Sequence, residues 1–180
     1  MAMDLHQTAI WLCALNLTLI AAWTDWRTRR IPNWLTVTGF AVGIALRLWL
    51  TGWRGGLSGF EGAGLGLALL LPLVLLRALG AGDWKLMGAV GAITGPQIFL
   101  RVLLASIFLS GLMAIVVMIK TKRVKSTLRN LVMLVHGFFT FGLRPSPVIS
   151  LDNPTLLKLP FGVAAAIGTV ICCIQVFWHA

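Results

Sequence analysis

The sequence predicts an all-α, polytopic membrane protein of about six transmembrane helices with its N-terminus outside. Three observations predict it. The 180-residue chain is 58% hydrophobic and only 11% charged, with a mean hydropathy of +0.92; a soluble domain of this length needs far more charge to cover its surface. Its apolar residues gather into runs near the ~20 residues that cross a hydrocarbon core. Its 15 basic residues, against 5 acidic ones, fall between those runs. A net charge of +10 in a soluble protein would point to nucleic acid. Interleaved with apolar spans, the same charge sets topology and anchors the chain to anionic lipid. The expected surroundings are therefore a bilayer, with no nucleic-acid partner.

The first helix is expected near 5–24. Its only early charge is Asp4, and the basic cluster follows the apolar run, so it is not a cleaved signal peptide. The second helix is expected near 33–50, opened by Pro32, whose fixed φ suits a helix start. The third lies near 57–79. A short fourth helix near 84–97 is separated from a fifth near 98–119 by Gly95-Pro96. The last is expected near 160–178. Between 126 and 158, Asn130–Leu143 is apolar but only about two-thirds of a span long. Pro145, Pro147 and Pro154 follow it, which favours a cytoplasmic or interfacial segment. Residues 1–180 are expected to form one membrane-embedded domain. Glycines recur at four-residue spacing in Gly39/Gly43, Gly62/Gly66 and Gly91/Gly95, a pattern that lets membrane helices approach closely.

Orientation follows from the basic residues. With the N-terminus outside, Arg47, Arg54 and Arg101 face outward and the other twelve of the fifteen face the cytoplasm. Two aspartates then fall on the cytoplasmic side. One is in Thr24-Asp25-Trp26-Arg27-Thr28-Arg29-Arg30-Ile31-Pro32-Asn33, the other in Gly80-Ala81-Gly82-Asp83-Trp84-Lys85-Leu86. An ionisable residue at helix depth costs about 2.5–3.5 kcal/mol on insertion scales, which marks both as functional candidates. Taken singly, Asp83 also suits a helix N-cap, and Asp25 a surface ion pair with the arginines after it. Together on one face, they suit an acid/base pair.

No other chemistry competes. Cys13, Cys172 and Cys173 lie in apolar runs with no C-x-x-C spacing, so neither zinc nor a disulfide framework is expected. His6, His136 and His179 are scattered, no Ser sits in a nucleophile motif, and Glu61 falls near the outer end of the third helix. No metal and no cofactor are expected. Two carboxyls that share one proton can hydrolyse a peptide bond without either, one taking a proton from water and the other donating to the carbonyl oxygen. Their titration belongs to the pair. Lys85, two residues past Asp83, either biases that ionisation or anchors its helix to lipid headgroups.

These motifs resemble those of the type IV prepilin peptidases, membrane aspartyl proteases with a GxGD motif. Asp25 followed by Arg29-Arg30-Ile31-Pro32-Asn33-Trp34-Leu35-Thr36 resembles the first aspartate motif. Gly80-Ala81-Gly82-Asp83-Trp84-Lys85-Leu86-Met87, with Gly88-Ala89-Val90-Gly91-Ala92, resembles the second. Leu159-Pro160-Phe161-Gly162-Val163-Ala164 resembles the segment that opens the last helix. The resemblance implies that Asp25 and Asp83 are catalytic, with Gly80, Gly82, Lys85, Pro32 and Asn33 as supporting motif residues. It implies a single-span prepilin or pilin-like substrate with a short basic leader, cut at the cytoplasmic face of the bacterial inner membrane. The first helix begins almost at once, and the paired cysteines of the long, N-methylating members are absent. The resemblance is therefore to the short Tad/Flp-type peptidases, and methyltransferase activity is not implied. Two alternatives remain open on the sequence: a small membrane carrier using its carboxylates as a proton relay, and an inactive assembly factor of a pilus or secretion system.

Overall fold

A computed structural model describes residues 5–122, 129, 132 and 160–179. Among them every regular element is a helix: α1 (Leu5–Thr28), α2 (Asn33–Leu75), α3 (Ala81–Lys120) and α4 (Phe161–His179). All four are long and apolar enough to cross a membrane. The expected interfacial segment at 126–158 lies, apart from Arg129 and Val132, outside the described residues.

Two of the helices are too long to run straight. At 1.5 Å per residue, the 43 residues of α2 would extend about 65 Å, twice the thickness of a hydrocarbon core. The chain instead reverses within each long helix. In α2, Thr51 leaves helical geometry and Gly52 takes φ +63°, a left-handed conformation open mainly to glycine. Phe40 and Phe60 then meet edge to face with ring centroids 6.1 Å apart. In α3 the break is at Gly95 (φ +75°), followed by Pro96, which has no N–H to continue the helix. Gly66 of α2 packs against both Met87 and Phe99, one from each arm of α3.

The expected break at Gly95-Pro96 stands, but the expected gap between 50 and 57 shrinks to Thr51 and Gly52. Gly55 and Gly56 fall within that expected gap. In the fold both are buried helical positions, and a Cβ on Gly55 would run into the Arg47 carbonyl. Other ends shift too: α1 runs on to Thr28, α2 stops at Leu75 and α3 starts at Ala81. Arg29, Arg77 and Lys122, just past the ends of α1, α2 and α3, each take a positive φ of 54–55°. Each is a left-handed residue of the kind that ends helices, here carrying a charge that suits the helix's negative end.

Packing follows small residues. On α1 the buried face is Trp11, Ala14, Thr18, Ala21 and Asp25, a stripe at helical spacing. It lies mainly against α4, whose Ala164, Ala165, Ala166, Gly168 and Thr169 are also buried. The glycine pairs read from the sequence are contact points. Gly39 meets Leu17, Gly43 meets Ile93, and Gly62 meets Gly91 so closely that a Cβ on either would strike the other's carbonyl.

The bundle thus has two distinct ends. The ends of α1 and α2's second arm and the starts of α2, α3 and α4 gather at one, where Trp23, Trp26 and Trp34 are exposed. The reversals of α2 and α3 lie at the other, where Trp49, Trp53 and Trp178 are exposed. Tryptophans at both ends of an apolar bundle match the two interfaces of a bilayer. Arg27 adds to the first belt by stacking 4.6 Å from the Trp23 ring centroid.

Arg47 secures the second end. Its Nε donates to the Gly55 carbonyl (3.3 Å), Nη1 to the Ile93 carbonyl (3.1 Å) and Nη2 to Ser58 Oγ (3.0 Å). One guanidinium therefore clamps both reversals, satisfying carbonyls beside the broken turns. Replacing it leaves those acceptors unpaired in an apolar bundle. Arg47→Met is expected to lower stability by about 2–4 kcal/mol, read as a fall in the melting temperature of the detergent-solubilised protein. Arg47→Lys, which keeps charge but not the fork, should recover only part of it.

Candidate active site

The two aspartates come together at the first end of the bundle. Asp25 is in the last turns of α1 and only 6% exposed, so it is not the surface ion pair its neighbours suggest. It continues the buried stripe of α1 because the helix runs past position 24 instead of ending there. Its Oδ2 accepts a hydrogen bond from the Gly162 backbone N–H at 2.8 Å. That donor lies in the first turn of α4, where free N–H groups and the helix dipole favour an anion. Arg29 is within electrostatic reach of Asp25.

Asp83 is in the first turn of α3. It is not the N-cap: Gly80 holds that position, and the Asp83 carboxylate folds back over Gly80, towards its backbone N–H. This is the acidic half of a capping box, three residues inside the helix. The carboxyl is half-buried and close enough to Asp25 for the two charges to interact. Carboxyls from α1 and α3 thus lie within electrostatic reach of each other, and α4 supplies a donor to Asp25.

The glycines beside Asp83 make room for this arrangement. A Cβ on Gly80 would lie 2.9 Å from Asp83 Oδ2, and one on Gly82 would lie 3.2 Å from Ile31 Cβ and 3.3 Å from its carbonyl oxygen. Gly80 admits the returning carboxylate; Gly82 admits the loop that follows Asp25. Pro32 ends that loop in extended geometry (φ −69°, ψ 140°) as the N-cap of α2. The next residue, Asn33, accepts a hydrogen bond at Oδ1 from Lys85 Nζ at 3.0 Å. Lys85 therefore ties the start of α3 to the start of α2, a third role beside the two its position suggests. All seven motif residues read from the sequence lie in or beside this cluster.

Two contributors were not legible as such. Trp84 donates from Nε1 to the Leu67 carbonyl at 2.7 Å, pinning the first turn of α3 to α2. Gly162 was visible only as part of the Leu-Pro-Phe-Gly opening of α4; its bond to Asp25 spans 137 positions. A Cβ on Gly162 would lie 3.1 Å from both Cβ and Oδ2 of Asp25, so Gly162→Ala must push the carboxyl aside by a few tenths of an ångström. Given that a 1 Å misplacement can cost 100-fold, Gly162→Ala is expected to lower the turnover rate roughly tenfold, measured with purified protein, while leaving its melting temperature nearly unchanged.

Among the described residues, no three His, Cys, Asp or Glu side chains come together as a metal would need. What the cluster offers is two carboxyls at the mouth of an apolar bundle, one fixed by a helix N-terminus and one by its own cap. Such a pair suits proton transfer to and from water.

The sequence of this helical bundle matches a known family. The model of the type IV leader peptidase family matches residues 11–115, more than half of the chain, and the chain belongs to that family. It is a type IV leader peptidase-like protease. The match takes in both aspartate motifs and ends before α4. No curated protein sequence and no solved structure matches the chain.

Proposed function

We propose that this protein is a membrane aspartic endopeptidase that removes the leader of type IV prepilin-like proteins of the Flp/Tad kind. Asp25 and Asp83 are its catalytic residues. The observation that carries the proposal is that these two carboxyls, from separate helices, lie within electrostatic reach of each other at one end of an apolar bundle. In this mechanism a water lies between them. One carboxylate takes a proton from that water as its oxygen attacks the scissile carbonyl carbon. The other, protonated, donates to the carbonyl oxygen. Collapse of the tetrahedral intermediate breaks the C–N bond, and the departing amine leaves with a proton from the pair. Gly162 N–H holds Asp25 in place, while Gly80, Gly82, Pro32 and the Lys85–Asn33 bond set Asp83 against it.

The chain crosses the inner membrane as a single domain, and the reversals of α2 and α3 divide the four helices into six crossings with the N-terminus outside. Support comes from the two reversals, the two tryptophan belts and the basic residues at the aspartate end. That end faces the cytoplasm, where the basic leader of a single-span pilin precursor emerges beside the pilin's own hydrophobic helix. A short arm from 81 to 94 sets Asp83 within reach of such a junction.

Co-expression with a prepilin-like substrate tests the proposal. A shorter substrate, with a new N-terminus at the leader junction, is the expected product. Full-length substrate across a panel of prepilins, with the peptidase present in the membrane, would contradict it.

A further inference from the structure

At the end opposite the aspartates, α1, the second arm of α3 and α4 enclose a cavity of about 500 Å³, a size typical of small-ligand sites. Trp11 and Cys172, both buried, form its floor. Arg101, Gln7 and Gln175 line its walls. Arg101 follows Gly95-Pro96 by little more than a turn, inside an apolar helix of membrane-spanning length. A guanidinium at that end of the bundle, set in an otherwise apolar wall, favours an anionic partner. Arg47, at the same end, has three protein acceptors. In the Arg101 cavity no carboxylate lines the wall among the described residues. The lining offers instead a cation, two carboxamides that can each donate, and an aromatic floor.

We propose that this cavity binds a phosphate-bearing anion, with Arg101 as the principal ligand. The planar fork of Arg101 suits two phosphate oxygens at once. Gln7 and Gln175, from α1 and α4, donate from the flanks. Trp11 and Ile98 pack against the apolar part of the ligand. Arg101 is exposed, so the site opens to the surface of the bundle, where lipid headgroups lie. The inference is independent of the chemistry at the aspartate end.

Titration of the delipidated protein in detergent, followed by native mass spectrometry, tests it. Dioleoyl phosphatidylglycerol, dioleoyl phosphatidylcholine and inorganic phosphate are the probes. Phosphatidylglycerol should bind at least tenfold more tightly than phosphatidylcholine, and Arg101→Gln should weaken it at least tenfold. Arg54→Gln, an exposed arginine on α2, should change nothing. Displacement by millimolar inorganic phosphate supports a free anion as the natural ligand; failure to displace supports the lipid. Melting of the Arg101→Gln protein checks its fold, and if it is unfolded, Arg101→Lys serves instead, with binding weakened severalfold for want of the fork. Equal binding of the two lipids, or variants that bind like the wild type, would overturn the proposal. So would phosphatidylglycerol binding that appears only in Asp4→Asn, because the chain's own carboxylate would then be the partner of Arg101.

Discussion

Asp25→Asn and Asp83→Asn are each expected to reduce prepilin cleavage by a factor of roughly 10²–10⁴, the contribution of a positioned proton-transfer group, with the protein still inserted and folded. The reason lies in the chemistry of the pair. An amide keeps the size and hydrogen-bonding shape of a carboxyl but can neither take a proton from water nor give one to a carbonyl. Asparagine at position 25 can still lie beside the Gly162 N–H, and at position 83 beside the Gly80 N–H, so the helix starts should survive. Asp→Glu at either position is a stricter probe. It restores the charge but moves the carboxyl by about 1 Å, a displacement that can cost about 100-fold. Initial rates on purified substrate, alongside melting curves of each variant, separate loss of chemistry from loss of fold. A single variant cleaving at the wild-type rate would remove that residue from the mechanism.

The largest effect on stability is expected at the α2–α3 contact. Gly62 and Gly91 abut so closely that no Cβ fits on either. Gly91→Val places three carbons where the Gly62 carbonyl stands, and a backbone carbonyl cannot rotate aside as a side chain can. Overpacking a core costs typically 1–3 kcal/mol, and a clash with backbone belongs at or above the top of that range, about 3 kcal/mol or more. Activity should fall with stability, because the same contact sets α3, and with it Asp83, against the rest of the bundle. Gly64→Ala and Gly111→Ala are the controls. A Cβ at either meets nothing within 4 Å, and the better helix propensity of alanine should leave stability equal or slightly higher. Melting temperatures of the four proteins in one detergent give the ranking. A Gly91→Val protein as stable as the two controls would show that the helices can separate freely.

Much of the site was legible in the sequence because membrane proteins carry so few charges. In a chain with five acidic residues, two aspartates inside apolar helices stand out, and the basic residues place them on one side. The glycine spacing was legible for a similar reason, since only packing explains it so regularly. What stayed hidden depends on partners distant in the chain. Arg47 counted as an outward topology charge, yet one of its acceptors lies 46 positions away. The Gly162 donor to Asp25 is farther still. Taken singly, Asp83 suited the N-cap of α3 because an aspartate after Gly-Ala-Gly fits that role; Gly80 holds the position instead, and Asp83 lies three residues on, where an acidic side chain can turn back towards the cap. Gly55 and Gly56 fell outside the expected helices, and composition cannot distinguish a glycine that turns the chain from one that lets a helix lie close.

Crosslinking tests most directly whether Asp25 and Asp83 form one site. In a chain whose Cys13, Cys172 and Cys173 are replaced by alanine, Asp25→Cys and Asp83→Cys are introduced together and treated in membranes with short bifunctional thiol reagents. A parallel protein carrying Asn33→Cys and Lys85→Cys, residues bonded at 3.0 Å, calibrates the reagents. The expected result is an intramolecular crosslink in both proteins, seen as a peptide joining the two helices after proteolysis. A crosslink between 33 and 85 with none between 25 and 83 would contradict a shared carboxylate site.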